Sequence, residues 1–315
     1  MKDNLLAISD LTKKQIEDIL ALGVSLHRSP VRLLTGKSVL CSFEKPSLRT
    51  VVTAQVAIHH LGGDIIHVRP ENFFGGKILF SSAGDSKLEG REALKDTVKN
   101  VSQWCDAIFA RVYSHETLLE IASQSDIPVI NALSDRHHPL QALADLLTIR
   151  ETFGSSPCAV AFVGDANNVA FSLIEVLLLF GYDMRFASPA AYSFSPEQQT
   201  HFQRLASRHA GAIMITHDPL AAVRGADVIY TDTFVSMGEE DSYDKKIASF
   251  EGYQVNKNLM AATEKKSYFM HCLPAHRGVE VTDEIIDSSC SLVYRQAKNR
   301  LITAKGVFAK LLNPV

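Results

Sequence analysis

Apolar residues along the chain follow two periods that alternate with each other. A helical period runs through LTKKQIEDILALGVSLH (11–27), REALKDTVKNVSQW (91–104) and HETLLEIASQ (115–124). Short β-like runs stand between such segments: KSVLCSF (37–43), DIIHV (64–68), CDAIFA (105–110) and IPVINAL (127–133). This alternation is typical of a mostly parallel sheet with helices on both faces.

A second set of strands begins at CAVAFVG (158–164). It continues through DMRFASP (183–189), GAIMITHD (211–218), GADVIYTD (225–232) and SYFMHCLP (267–274), and the last helical segment is RQAKNRLITAKGVFAKLL (295–312). The segment ETFGSSP (151–157) separates the two sets. The pattern predicts an α/β protein of two similar-sized domains, each a mostly parallel sheet flanked by helices. We assign 1–150 with the C-terminal helix 295–315 to one domain and 151–294 to the other.

Composition narrows the class of partner. The chain has 315 residues, 46% hydrophobic and 21% charged, with a net charge of -3, which is typical of a globular protein. Lys and Arg are scattered, so no basic patch favours nucleic acid or a membrane surface, and a small molecule is the expected partner.

Five cysteines without a CxxC pair favour a reducing compartment. The start, MKDNLLAISDLTKKQIEDIL, resembles neither a signal peptide nor a membrane span. We expect a cytoplasmic protein.

Polar residues at strand-to-helix junctions are the candidates for chemistry, because ligands of parallel sheets lie beyond the carboxyl ends of strands. In KPSLRT (45–50), hydroxyls and a guanidinium stand at a helix start, where unpaired N–H groups favour an oxyanion. An N-cap serine beside an exposed arginine is the alternative. Arg111 directly follows an apolar run. A lone arginine there is most often a solvated strand end.

A third junction contains DRHHPLQALADLL (135–147). His138-Pro139 opens a helix, which places His138 and Gln141 one turn apart on the same face. These two side chains are suited to gripping a carbonyl and an amide together, although helix capping is the default role of any single histidine.

Two more junctions lie in the second set of strands. The segment VGDANNV (163–169) begins where a dinucleotide fingerprint would but lacks its glycines, which argues against a nicotinamide cofactor, and it offers Asn167 and Asn168 instead. The other pairs YTDTFVSMG (230–238) with HCLPAHRG (271–278). We expect no metal there, because adjacent side chains leave a strand on opposite faces. Cys272 is equally compatible with a buried structural thiol.

Together these motifs resemble the aspartate/ornithine carbamoyltransferases, and within them the ornithine type. The motifs shared across that superfamily are Ser47-Leu48-Arg49-Thr50 and His138-Pro139-Leu140-Gln141. The ornithine-type motifs are Asp232 with Ser236-Met237-Gly238, and His271-Cys272-Leu273-Pro274. The similarity runs from the first helix to the last.

The resemblance implies a trimer of two-domain subunits that transfers a carbamoyl group from carbamoyl phosphate to L-ornithine in the cleft between the domains, without a metal or organic cofactor. The implied carbamoyl phosphate ligands are Ser47, Leu48, Arg49, Thr50, Lys87, Arg111, His138, Gln141 and Arg300. Among these, Lys87 lies in a loop that reaches a neighbouring subunit in the family. The implied ornithine ligands are Asn168, Asp232, Ser236, Met237, Cys272 and Leu273. Arg49, Arg111, His138 and Cys272 carry the implied catalytic roles.

The chain departs from the family pattern at three places. Val51 and Gln55 stand where an arginine and a glutamate usually form an i, i+4 pair, which indicates a structural replacement, since both charges have gone together. Leu48 replaces a threonine hydroxyl but keeps its backbone N–H. Lys87 is a residue that aspartate enzymes offer, whereas ornithine enzymes commonly have glutamine. Two alternatives therefore stay open: a carbamoyltransferase for putrescine, an N-acylornithine or aspartate, and a non-catalytic relative.

Overall fold

Two parallel sheets organise the chain, as the alternating pattern predicts. The computed structural model describes residues 3–74, 92–235 and 243–313. These residues form two compact units, one of Met1–Leu140 with Leu301–Val315 and the other of Gln141–Arg300. We refer to them as unit 1 and unit 2. The two breaks fall inside long helices, so the chain passes from one unit to the other without a loop.

Unit 1 contains a four-stranded parallel sheet in the order β2-β1-β3-β4. Its strands are β1 (Ser38–Phe43), β2 (Asp64–His67), β3 (Ala107–Arg111) and β4 (Val129–Leu133). Its helices are α1 (Lys13–Arg28), α2 (Leu48–His60), α3 (Pro70–Phe73), α4 (Leu94–Trp104) and α5 (His115–Gln124), after a 3-10 turn at Ile8–Asp10. The helices α6 (Pro139–Phe153) and α13 (Val293–Leu312) are shared between the units.

Alternation along β3 supplies the core of unit 1 on both faces of the sheet. Ile108 and Ala110 pack in a buried apolar cluster with residues of α4 and α5. Phe109, which points to the other face, meets Phe308 of α13 edge-on at a centroid distance of 5.5 Å. A strand buried on both faces reads as a continuous apolar run, which explains why the run before Arg111 was recognisable in the sequence.

Unit 2 contains a five-stranded parallel sheet in the order β7-β6-β5-β8-β9. Its strands are β5 (Ala159–Val163), β6 (Asp183–Ala187), β7 (Ala212–Thr216), β8 (Val228–Thr231) and β9 (Tyr268–His271). Its own helices are α7 (Asn168–Leu179), α8 (Pro196–Arg208), α9 (Pro219–Val223), α10 (Tyr243–Ser249), α11 (Lys257–Ala261) and α12 (Asp283–Ile286), with a 3-10 turn at Ala190–Tyr192. On one face of the sheet Phe162 stacks on Phe186 and on Tyr230.

Strand order locates the ligand-binding edge of each sheet. After β1 the chain adds β2 on one side and then returns to add β3 on the other, so the order reverses between β1 and β3. In unit 2 the same reversal occurs between β5 and β8. In open parallel sheets ligands bind beyond the carboxyl ends of strands at such switch points. The junctions singled out in the sequence include those at these two places.

A close approach of two helices completes unit 1. A Cβ atom added at Gly306 of α13 would stand 2.1 Å from the carbonyl oxygen of Ile19 in α1, and one added at Gly23 would stand 2.4 Å from the carbonyl oxygen of Ile302. The two glycines therefore let the backbones of α1 and α13 meet where any side chain would force them apart.

We expect Gly306→Ala to destabilise the protein by about 2 to 3 kcal/mol or more, because overpacking at a backbone contact cannot be relieved by a rotamer change. Gly36→Ala is the matched control. A Cβ at Gly36 meets nothing within 4 Å, although its φ of +78° is unfavourable for alanine, so it should cost only about 1 to 2 kcal/mol. Thermal unfolding of both variants gives the comparison, and equal losses would contradict the role of the helix contact.

Candidate functional site

The start of α2 forms the first part of the candidate site. Ser47 caps the helix: its Oγ accepts the Thr50 N–H at 3.3 Å, and its hydroxyl donates to Thr50 Oγ1 at 3.0 Å. The first turn of any helix presents N–H groups that have no partner within the helix. Leu48 is the first residue of this turn, and 78% of its surface is exposed. The opening turn is arranged to receive an anion.

The pairing of β1 with β3 places Arg111 at the carboxyl end of the sheet of unit 1. Phe43 and Arg111 are register partners, and the Glu44 N–H donates to the Arg111 carbonyl oxygen at 2.8 Å. The Glu44 carboxylate in turn accepts the Tyr113 N–H at 2.7 Å. These bonds tie together the ends of the two switch-point strands. The Arg111 side chain is buried, which does not fit a solvated strand end.

His138 immediately precedes α6, which begins at Pro139 as predicted. The loop before it is fixed by the Ser134 N–H, which donates to the His137 carbonyl oxygen at 3.0 Å, and by Asn131 Nδ2, which donates to the same oxygen at 3.3 Å. The His138 ring is buried. The residue before His138 is thus tied to β4 and to the loop that follows it.

In unit 2, Asp232 lies beyond the end of β8 at the switch point. Its Oδ2 accepts a hydrogen bond from Asn167 Nδ2 at 2.9 Å, and its Oδ1 accepts one from the Cys272 thiol at 3.0 Å. Asn167 also caps α7, because its Oδ1 accepts the N–H groups of Val169 and Ala170, both at 3.0 Å. The cap and the carboxylate are thus joined through one amide side chain, next to Asn168 at the helix start.

The alternation expected for His271 and Cys272 applies only within a strand, and Cys272 is not part of one. The strand β9 ends at His271, and Cys272 lies beyond the alternating part. Ligand atoms of Asp232, His271 and Cys272 lie within 4.8 Å of one another. However, His271 Nδ1 accepts the Leu273 N–H at 2.8 Å and Nε2 lies 3.3 Å from Glu280 Oε1. Since both ring nitrogens are engaged, the cluster fits a hydrogen-bonded turn better than a metal site.

Gln141 and Arg300 are brought together inside unit 2, where the Arg300 guanidinium donates to Gln141 Oε1. The Gln141 amide donates to Asp145 Oδ1 at 2.9 Å. The same Asp145 carboxylate accepts Gln296 Nε2 at 2.9 Å and the Tyr230 hydroxyl at 3.0 Å. Burial raises the pKa of Asp145 to about 6, against the lowering effects of these three donors and of the Arg300 charge.

Asp145 and Gln296 were missed by the sequence analysis. The available signal was the lone carboxylate in the apolar run ALADLL (142–147), one turn after Gln141. A buried charge in such a run needs partners, which directs attention to the surrounding polar groups. The sequence did not show which groups those were.

Three predicted ligands lie outside the described residues: Lys87, Ser236 and Met237. Among the departures from the family pattern, Val51 is half-buried and Gln55 is exposed on α2. An ion pair at such a place would support the helix by only about 0.2 to 0.5 kcal/mol, so its absence has a small energetic effect. No helix of the described part of the chain is long and apolar enough to cross a membrane.

Two family models match the chain in consecutive ranges. Residues 3–151 match the model described as "Aspartate/ornithine carbamoyltransferase, carbamoyl-P binding domain". Residues 156–311 match the model described as "Aspartate/ornithine carbamoyltransferase, Asp/Orn binding domain". Together the two matches cover nearly all of the sequence.

Individual relatives agree over the same length. An ornithine carbamoyltransferase of Shewanella oneidensis is 42% identical over 98% of this chain and 99% of its own. A catabolic ornithine carbamoyltransferase of Thermoplasma acidophilum is 39% identical over 99% of each chain. The solved structure of the ornithine carbamoyltransferase from Pyrococcus furiosus superposes with a TM-score of 0.91 at 39% identity, over 100% of this chain and 98% of that one.

The raised pKa of Asp145 predicts a specific pH dependence of stability. The folded state holds this proton more tightly than the unfolded state, so the contribution of Asp145 is most favourable below pH 4 and is lost as the pH rises to about 6. The difference between the pKa of about 6 in the folded state and the ordinary pKa of an aspartate corresponds to about 3 kcal/mol of stability. Relative to Asp145→Asn, the wild-type protein should therefore lose stability between pH 4 and 6 in chemical denaturation. Parallel stability curves for the two proteins would contradict the shift.

Proposed function

The chain belongs to the aspartate/ornithine carbamoyltransferase family, and we propose that it transfers the carbamoyl group of carbamoyl phosphate to the side-chain amine of L-ornithine. The products are L-citrulline and phosphate. The amine nitrogen attacks the carbamoyl carbon, and the bond from that carbon to the phosphate oxygen breaks. The observation that carries the proposal is the agreement with ornithine carbamoyltransferases along the whole chain.

Unit 1 is proposed to supply the electrostatics for the departing phosphate. The helix start at Ser47–Thr50 and the Arg49 guanidinium receive its negative charge. Arg111, with Thr50 and His138, is proposed to polarise the carbamoyl oxygen. Donors aimed at charge that develops in the transition state usually contribute the largest part of such catalysis. No step in this scheme requires a metal ion or an organic cofactor.

The carbamoyl amino group is assigned to Gln141. Its Oε1 already accepts from Arg300, and a carbonyl oxygen has two lone pairs, so one remains to accept a substrate N–H. Arg300 is proposed to contact the same substrate. The predicted contribution of Lys87 stands as part of this proposal.

Unit 2 is proposed to bind the acceptor. Asn168 and Asp232, with Ser236 and Met237, receive the amino-acid head group, and Cys272 and Leu273 line the side-chain amine. The carboxylate of Asp232 suits an acceptor that carries an ammonium group. Its contact with Cys272 supports the thiol form of the cysteine, since a thiolate would face a like charge at 3.0 Å. Cys272 then contacts the amine but does not serve as a ready base.

The amine must lose its proton before it attacks. An amine with a pKa near 10.4 requires roughly 4 to 5 kcal/mol for deprotonation at pH 7. An apolar surrounding lowers the pKa of an amine, and Leu273 is placed to provide part of it. This cost explains why the proposed acceptor site combines one carboxylate for binding with apolar groups near the reacting nitrogen.

Assembly and compartment also belong to the proposal. We propose a homotrimer, as the family resemblance implies, in the cytoplasm. The apolar side chains of Val52 on α2 and Ile66 on β2 are exposed and available to an interface with another copy. The five free cysteines are compatible with a reducing compartment.

A panel of acceptors tests the proposed function. L-ornithine, putrescine, N-acetylornithine, N-succinylornithine and L-aspartate are each incubated with carbamoyl phosphate, and the carbamoylated product is detected directly. We expect L-ornithine to give the highest kcat/KM, because Asp232 suits a free α-ammonium group. A higher value for any other acceptor would reassign the substrate. The absence of product with all of them would favour a non-catalytic relative.

Arg49→Ala should reduce turnover about a hundredfold to a thousandfold with both substrates saturating, since the guanidinium meets charge that grows in the transition state. Arg28→Ala, which removes an exposed arginine from the last turn of α1, is the control in the same unit. Steady-state kinetics measure the effect. Unchanged turnover in Arg49→Ala would remove Arg49 from the catalytic set.

A further inference from the structure

The Asp145 carboxylate is the centre of a buried network that joins four elements of unit 2. It lies on α6 and is fully buried. Its donors are Gln141 on the same helix, Gln296 on α13 and Tyr230 on β8. Gln296 Oε1 in turn accepts the His271 N–H of β9 at 2.9 Å. The proposed binding residues Asp232 and Cys272 follow directly after the two strands.

An ionised carboxylate has no hydrogen to donate, and this fixes the orientation of both amides. Each glutamine must turn its NH₂ group towards Asp145, so each carbonyl oxygen points away from it. The oxygen of Gln141 consequently faces Arg300, and the oxygen of Gln296 faces the His271 N–H. If Gln141 were flipped, its NH₂ group would face the guanidinium, and two donors would oppose each other.

The same carboxylate therefore controls two parts of the proposed site. On one side it decides which atom Gln141 offers to a substrate. On the other side it holds Gln296, which anchors the last residue of β9 immediately before Cys272. No other carboxylate of the described residues is hydrogen-bonded to either glutamine.

We propose that Asp145 is a positioning residue, which fixes the amide orientation of Gln141 and, through Gln296, the strand end that carries Cys272. The assignment of Gln141 to the carbamoyl group rests on the proposed function, whereas the anchoring of Cys272 does not. Asp145 itself does not touch the substrate.

Asp145→Asn in the full chain tests this inference. Asparagine keeps the size of the side chain but offers an NH₂ group, so the amide orientations are no longer enforced. We expect the KM for carbamoyl phosphate to rise roughly tenfold to a hundredfold, because misplacement of a substrate-contacting group has effects of this size. We also expect alkylation of Cys272 by iodoacetamide, followed by peptide mass spectrometry, to become roughly fivefold faster. Cys105 in unit 1 is the internal reference.

Thr148→Val is the matched control. Thr148 Oγ1 accepts Asn299 Nδ2 at 2.9 Å, which is a second buried bridge between α6 and α13 that touches neither glutamine. We expect this variant to be less stable to heat, with a KM for carbamoyl phosphate and a Cys272 alkylation rate within about twofold of the wild-type values. If it reproduced the changes of Asp145→Asn, general loosening between the helices would explain them and the proposal would fail.

Gln296→Met tests the anchoring of Cys272 separately from the orientation of Gln141, and it also serves if Asp145→Asn does not fold. It removes the anchor of His271 but leaves Gln141 held by Asp145. Cys272 should therefore be alkylated faster, while the KM for carbamoyl phosphate stays near the wild-type value. An unchanged alkylation rate in this variant overturns the anchoring of Cys272. In Asp145→Asn, a KM and an alkylation rate both within about twofold of wild type overturn the whole inference. The alkylation readout is decisive even if the wild-type protein forms no citrulline, which keeps the proposed function a separate question.

Discussion

Parallel pairing of every strand within its sheet is the constraint on which the candidate site depends. It places all strand-to-helix junctions of a sheet at one edge. The reversal of strand order then leaves β1 and β3 in one unit, and β5 and β8 in the other, as neighbours whose following loops diverge. Arg111 at the end of β3 and the Ser47 turn that follows β1 lie in this way at the same end of the sheet in unit 1. Asp232 and Asn167 meet in the same way in unit 2.

The local pattern of apolar residues was sufficient to predict the longer helices and the buried strands. The apolar period predicted a first helix over 11–27, and α1 spans Lys13–Arg28. The agreement is close because the apolar period and the capping residue of an amphipathic helix can both be recognised in the sequence. The run CDAIFA predicted a buried strand that β3 confirms. The short helices α10 and α11 have too few turns for a period to show.

The polar network could not be predicted in the same way, because its contacts are remote in sequence. Asp145 meets Tyr230 from 85 positions away and Gln296 from 151 positions away, and no period or spacing records such distances. The relation of His271 to Cys272 could not be predicted for a related reason. Alternation applies only while the strand continues, and the sequence does not show that the pairing of β9 with β8 ends at His271. The sequence shows the residue types of the polar network, but only the tertiary structure shows which of them are hydrogen-bonded to each other.

The glycine contact between α1 and α13 has a consequence for the order in which the protein takes shape during synthesis. Unit 2 is continuous in sequence, whereas unit 1 combines Met1–Leu140 with Leu301–Val315, which is translated after all of unit 2. The sheet of unit 1 is translated before unit 2, yet the face of Phe109 that Phe308 covers stays open until α13 has been synthesised. Domains commonly fold as units from the N-terminus during synthesis. Here that order cannot hold for unit 1, because its last segment, Leu301–Val315, is synthesised only after the whole of unit 2.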